Sequence, residues 1–251
     1  MELINLIFNV LLVLLLFVFY IRNNIKHRIY MKKLGMIEER QIKDFRQLQY
    51  IIYISNFLET KSILPEIRTE WSIYPDFTAL IFKKIKTHQA NSILELGSGS
   101  STILVAYYLK KQGQGKLISL EHDRKHYNKT KELLKLHELI NYVDLIYAPF
   151  KKTVLKGFEG DWYDISALTK ELKIDLLIVD GPPGYLNKQA RYPAIPQLVN
   201  FLSKNAIIIL DDCNRQDEKE IISRWQDEYR VFEVEKMHTE NGTVILQYDK
   251  L

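Results

Sequence analysis

The chain is short of cysteine, of net charge and of any cleavable-looking start, and each shortage removes a class of protein. Cys213 is the one cysteine in 251 residues. A single thiol cannot build a disulfide framework, and no Cys/His spacing suits zinc. That usage fits a reducing compartment. The net charge is +4, too mild to argue for nucleic acid, and no such partner is expected. There is no internal repeat and no low-complexity tract, which sets aside solenoids. What remains is 47% hydrophobic and 26% charged, a globular composition with chain enough for one domain and a full core.

Long apolar runs are not lacking. Residues 3–21, "LINLIFNVLLVLLLFVFYI", are apolar except Asn5 and Asn9. As a helix they span about 28 Å, close to the hydrocarbon thickness of a bilayer. A signal peptide begins with positive charge and ends at a small-residue site. Here the only early charge is Glu2, and "FVFYIRNNIKHRIYMKK" offers no such site. Residues 1–21 are therefore expected to be an uncleaved anchor. A buried helix is rarely so uniformly apolar. Arg22, Lys26, Arg28, Lys32 and Lys33 follow with no acid among them. The excess of positive charge puts that side in the cytoplasm, as a single-pass protein of the cell membrane. The basic neck also suits anionic lipid heads.

Residues 22–70 read as neck and helical linker, and 71–251 as the main domain. Within 37–59, Ile42, Phe45, Leu48, Ile52 and the Phe57/Leu58 pair recur at helical spacing. That face has two candidate partners, the domain core or a second copy of the chain in a homodimer. Pro65 and Pro75 punctuate the next stretch, and a helix is expected after Asp76.

From Ser92 the pattern alternates. Strands are expected at "SILELG", "KLISLEHD", "YVDLIYA", "IDLLIVDG" and "AIIILDD". Helices are expected at 101–111, 124–138, 165–172, 191–203 and near 215–229. Near-continuous apolar strands with helical crossovers mean a parallel sheet covered on both faces. "RVFEVEKMH" and "TVILQYD", joined around Asn241-Gly242, predict a closing antiparallel pair.

Ligands of such sheets sit beyond the carboxyl ends of the strands. Gly97 and Gly99 let the backbone turn sharply and come close to a ligand. A dinucleotide fingerprint would want a third glycine where Thr102 stands. Glu95, two residues before Gly97, would repel a pyrophosphate, whereas it suits a ligand carrying positive charge. Glu121 ends the second strand, where an acid can accept both hydroxyls of a ribose.

"ILELGSGSST", "LISLEHD", "IDLLIVDGPPG" and "AIIILDDCNR", in that order, resemble class I S-adenosylmethionine-dependent methyltransferases. The resemblance covers roughly residues 71–251 and leaves out the anchor. It is nearest to bacterial small-molecule or sugar methyltransferases with a "WS…PDF" lead-in, a "WYD" segment and a "DGPP…RYPA" loop. It implies a Rossmann-like α/β sheet of seven strands, mostly parallel, with an antiparallel final strand. It implies S-adenosylmethionine as cofactor. By that resemblance Gly97, Ser98 and Gly99 line the cofactor, and Glu95 sits near its ammonium. Glu121 holds the ribose, His122 and Ala148 flank the adenine, and Asp180 faces the reaction centre. Trp162 and Tyr163 read equally as core or as a pocket wall. Trp71, Tyr74, Arg191 and Tyr192 are pocket candidates by position alone.

Transfer to a hydroxyl needs its proton removed, by a side-chain base or through a divalent cation. Asp180 and Asp211 are the candidate catalytic residues. With Asp212 they also form a candidate magnesium or manganese site, similar to that of catechol-type O-methyltransferases. Two departures stand against that likeness. Asp212 replaces an asparagine, and Pro183 stands where that group carries a lysine base; Lys188 is the nearest alternative. The expected activity is methyl transfer to a hydroxyl of a small molecule, saccharide or envelope precursor at the inner membrane face. The alternative is a membrane-tethered binding or scaffold protein without catalysis. A nicotinamide oxidoreductase ranks third, with Thr102 against it.

Overall fold

The computed structural model describes residues 1–58 and 73–249. The chain divides into two compact units, Met1–Leu48 and Gln49–Leu251. The lead-in around Trp71 and Pro65, and the expected boundary at 70/71, lie outside the described residues.

Helix α1, Glu2–Leu58, runs without interruption through the stretches expected as anchor, neck and linker. The apolar side chains of residues 3–21 are exposed along it. Its most apolar 18-residue window has mean hydropathy 2.7, and it is long and apolar enough to cross a membrane. Gly35 does not break it.

In the second unit α2, Pro75–His88, starts with proline in the first turn and acidic Asp76 beside it. Both suit a helix N-terminus. Then come β1 (Ser92–Leu96), α3 (Ser100–Gln112), β2 (Lys116–Glu121), α4 (Arg124–Leu136) and β3 (Val143–Tyr147). Asp123 caps α4, its Oδ1 accepting from the His126 amide at 2.8 Å. A hairpin follows, β4 (Phe150–Leu155) with β5 (Phe158–Tyr163). The chain then makes β6 (Ile174–Val179), α5 (Ala194–Leu198), β7 (Leu202–Leu210), α6 (Gln216–Glu228), β8 (Val231–Met237) and β9 (Thr243–Tyr248).

The seven-stranded sheet has the order β3-β2-β1-β6-β7-β9-β8. The first five strands are parallel, and β9 is antiparallel to both β7 and β8. The expected mostly parallel sheet with an opposed final strand is therefore present. The chain winds outward from β1 to β3, then returns to β1's other side with β6. That reversal opens a crevice at the carboxyl ends of β1 and β6, where ligands of such sheets bind.

Strands β1 and β6, and β7 from Ala206 to Leu210, carry mostly apolar side chains because both faces are covered. One face packs α2, α3, α4 and the end of α1, with Ile54, Phe77, Ile81, Ile93, Leu104 and Ile178 in one cluster. The other packs the hairpin, α5 and α6 around Trp162, Tyr192, Leu177, Ile208 and Trp225. Each such side chain stabilises by about 1.5–3 kcal/mol when fully buried.

Two expectations about elements need correction. The segment 165–172 is a run of turns, held by Asp164 Oδ1 accepting from the Ser166 amide at 3.0 Å. The regular structure of this crossover is the β4–β5 hairpin just before it. Helix 191–203 shortens to α5 and a single 3₁₀ turn, because Leu202 already pairs with Ile174 in the sheet. The closing pair is as expected: β8 and β9 run antiparallel, joined by residues 238–242, which include Asn241-Gly242.

Candidate active site

At the end of β1 the chain turns through Gly97, whose φ of +95° is a conformation that side chains with a Cβ disfavour. The Gly97 amide still donates to the Leu120 carbonyl at 2.9 Å, so the turn begins inside the sheet. The Gly99 amide donates to Thr102 Oγ1 at 3.0 Å. Thr102 Oγ1 donates in turn to Glu95 Oε2 at 2.6 Å, and Ser119 Oγ donates to the same oxygen at 2.8 Å. Thr102, which stands where a third glycine was sought, is thus the link between the turn and Glu95.

Glu95 is fully buried, and its Oε1 has no partner. Burial pushes its carboxyl up to about 7, partly offset by hydrogen bonds from Ser101, Thr102 and Ser119. Glu121 is also buried but behaves oppositely. Its Oε2 accepts from the Ser98 amide and Ser98 Oγ, both at 2.9 Å, and its Oε1 accepts from the Asp123 amide at 2.8 Å. Burial raises its carboxyl, but His122 and these donors outweigh burial and hold it below the usual range. His122 Nδ1 lies 3.1 Å from Glu121 Oε1. The His122 ring stacks on Phe150, with centroids 3.9 Å apart and planes 10° from parallel. Ala148 is buried beside them, its amide donating to the Glu121 carbonyl at 2.7 Å. Glu95, Gly97, Ser98, Gly99, Glu121, His122 and Ala148 therefore gather at the tips of β1, β2 and β3.

Asp180 follows β6 with its side chain 38% exposed. Gly181 comes next, and a Cβ there would lie 2.3 Å from the Tyr163 hydroxyl and 3.0 Å from the Leu96 carbonyl oxygen. No side chain fits, so the β6 tip presses against both β1 and the hairpin. Tyr163 belongs to the core: its ring is buried, and its hydroxyl abuts Gly97 and Gly181. Trp162 is wholly core.

Asp211 and Asp212 follow β7, and Asp212 adopts φ +62°. Both come close to Asp180, but Arg191 stands among them. Its Nη2 donates to Asp212 Oδ2 at 2.6 Å and lies 3.6 Å from Asp180 Oδ1. Arg215 Nη1 lies 2.9 Å from the same Asp212 oxygen. Asp211 Oδ1 accepts from Thr243 Oγ1 at 2.9 Å. Burial, with Asp180 and Asp212 nearby, pushes the Asp211 carboxyl up to about 8. Among the described residues no group of three His, Cys, Asp or Glu side chains is placed to hold a metal ion.

Other candidates separate from the site. Lys188 Nζ is 3.8 Å from Glu220 on α6, its side chain 77% exposed. Tyr192 faces α6, donating to Glu228 and covered by the Arg224 guanidinium. Cys213 is buried and its thiol is pushed up to about 12, chiefly by burial, which disfavours the thiolate. The partners Thr102, Ser119, Arg215 and Thr243 were not singled out as functional from sequence. Only Thr102 carried a signal, as the residue in the missing glycine's place.

A seven-stranded sheet with one opposed strand and an acidic, glycine-turned switch point defines a class I methyltransferase fold. Residues 94–213 match the family described as "Methyltransferase domain", Methyltransf_24, and that segment is a methyltransferase domain. Solved structures agree in fold. A Klebsiella pneumoniae protein provisionally assigned as an O-methyltransferase superposes with TM-score 0.58 at 16% identity, covering 84% of this chain and 97% of its own. The Bacillus cereus O-methyltransferase in complex with S-adenosylhomocysteine gives 0.55 at 17%, covering 82% and 92%. The S-adenosylhomocysteine-bound Podospora anserina methyltransferase PaMTH1 gives 0.55 at 16%, covering 80% and 88%. No curated protein gives a significant match.

Proposed function

We propose that the domain binds S-adenosylmethionine and transfers its methyl group to a hydroxyl of a small molecule, saccharide or envelope precursor. The observation that carries this reading is the pairing of Ser98 with Glu121. It fixes an ionised carboxylate at the β2 tip beside the β1–α3 turn, an acceptor suited to a ribose diol. When bound, the cofactor supplies an activated methyl on a sulfonium. Glu95 Oε1 is a buried, unpartnered acceptor suited to an ammonium. Gly97 and Gly99 leave backbone in reach of the ligand. His122 and Phe150 offer an aromatic surface for the base. Asp180 is the partly exposed carboxylate of the next strand tip, and it is the group that orients the acceptor hydroxyl and takes up its proton.

The reading extends to the membrane. Residues 3–21 anchor the chain, and the basic residues after Ile21 keep the domain on the cytoplasmic side. Protease added to sealed, right-side-out cells should spare the domain. Digestion there sinks the orientation, and quantitative release by high salt sinks the span.

Calorimetry on the full chain with S-adenosylmethionine, S-adenosylhomocysteine and a nicotinamide dinucleotide tests the cofactor. Binding of the first two alone is expected. Binding of the dinucleotide instead would return the oxidoreductase. Cofactor binding with no transfer across a screen of hydroxylated envelope precursors would favour the tethered, non-catalytic alternative.

A further inference from the structure

At the tips of β6 and β7 one buried cation binds many oxygens. The Arg191 side chain is 3% exposed. Its Nη1 donates to the Asp211 carbonyl at 2.9 Å, and its Nε donates to the Pro182 carbonyl at 3.4 Å. Its Nη2 donates to the Asp180 carbonyl and to Asp212 Oδ2. Glu218 Oε1 lies 3.9 Å from Nε. All these partners are hard oxygens, the donor set that magnesium or manganese takes. The remaining capacity is claimed from outside, by Arg215 on Asp212 and Thr243 on Asp211. A metal ion would need the same carboxylates within about 2.0–2.6 Å, and a guanidinium cannot share that space.

We infer that the Arg191 guanidinium stands in place of a divalent cation among Asp180, Asp211 and Asp212, so that this domain holds its acceptor beside Asp180 without a metal. Only the mention of an acceptor rests on the methyl-transfer reading; the place of Arg191 rests on geometry. The substitution has a chemical consequence. A divalent ion with open positions can chelate two neighbouring oxygens of an acceptor and lower a hydroxyl's pKa. A guanidinium whose donors already point at protein oxygens does neither. Its charge is permanent in the working pH range. Acceptors with vicinal hydroxyls should therefore gain no chelate advantage. Arg191 acts as a positioning residue: it fixes the carbonyls of Asp180, Pro182 and Asp211 and leaves the Asp180 carboxylate as the exposed group.

The test uses the full chain in detergent micelles, with bound Mn²⁺ counted by electron paramagnetic resonance and S-adenosylmethionine titrated in parallel. The wild-type chain should show no saturable Mn²⁺ binding tighter than about 1 mM. Arg191→Met keeps the length and removes the charge, leaving Asp180, Asp211, Asp212 and Glu218 around a gap. It should bind Mn²⁺ at least about tenfold more tightly than wild type. A structural prop alone would not produce that gain. One Mn²⁺ per wild-type chain below about 0.1 mM, lost in Asp211→Asn, overturns the inference. So does a folded Arg191→Met that gains no affinity. If Arg191→Met does not fold, the wild-type titration decides. Failure to bind S-adenosylmethionine in the same preparation would sink the methyl-transfer reading instead, and the Mn²⁺ result would still judge Arg191.

Discussion

Two groups of carboxylates lie at neighbouring strand tips, and they are neutralised in different ways. Glu95 and Glu121 are held by hydroxyls and backbone amides: Thr102, Ser119, Ser98 and Asp123. These donors carry no net charge. Asp180, Asp212 and Glu218 are held by Arg191 and Arg215. The first group therefore keeps an attraction for an incoming cation, such as an ammonium or a sulfonium. The second has its cation built in. The difference separates carboxylates held by neutral donors from carboxylates already matched by a cation.

The comparison breaks most severely at Arg191. Arg191→Ala removes the partner of buried Asp212 and exposes four acids to one another. Deleting one member of a buried pair costs about 3–5 kcal/mol, so a large fall in melting temperature is expected. A loss under about 1 kcal/mol would mean that Arg215 alone neutralises this group.

Glu95 comes next. The folded chain holds its proton more tightly than the unfolded chain, since the carboxyl rises from 4.5 to about 7. Its contribution is fully present below about pH 4.5, declines as pH rises to about 7, and then levels off. The change is up to about 3 kcal/mol for a shift of this size. Glu95→Gln should flatten that part of the stability curve. Urea titrations of both chains between pH 4 and 8 check it; parallel curves would place the slope elsewhere.

Glu121→Ala should weaken S-adenosylmethionine binding about ten- to a hundred-fold, from the loss of charge-assisted hydrogen bonds worth about 1.5–3 kcal/mol. Glu121→Gln, which keeps the shape, should recover part of the loss. Calorimetry gives both numbers, and unchanged affinity in a folded Glu121→Ala removes it from the site. The smallest effect is expected for Thr243→Val, about 1 kcal/mol of stability from one donor to Asp211. It should leave cofactor affinity untouched, and a change there would tie the two groups together.

Much of this was legible in the sequence. Ile93–Leu96, Ile174–Val179 and Ile207–Leu210 announce themselves because strands covered on both faces need apolar residues at every position. The place of Glu121 at a strand tip was legible because it ends such a run. The β4–β5 hairpin was not. Lys151, Lys152 and Glu159 face outward, and its buried positions are too irregular for a clean alternation. "ISALTKEL" contains good helix formers, yet Asp164 and the turns that follow take its amides. The pairing of Arg191 with Asp212 joins residues 21 positions apart, with α5 and β7 between them. No local periodicity records such a contact, so the three aspartates were legible and their cation was not.

The hydroxyl of Tyr163 against Gly181 has a meaning for the history and redesign of this chain. A library that varies position 181 alone should return glycine almost without exception, because any added carbon meets that oxygen. A library that varies 163 and 181 together should admit alanine at 181 only where 163 has lost its hydroxyl or its ring and the Leu96 carbonyl, 3.0 Å from the added carbon, gives way as well. The hairpin and the β6 tip are in that sense one heritable unit, and a graft that moves either into another scaffold must carry the other with it.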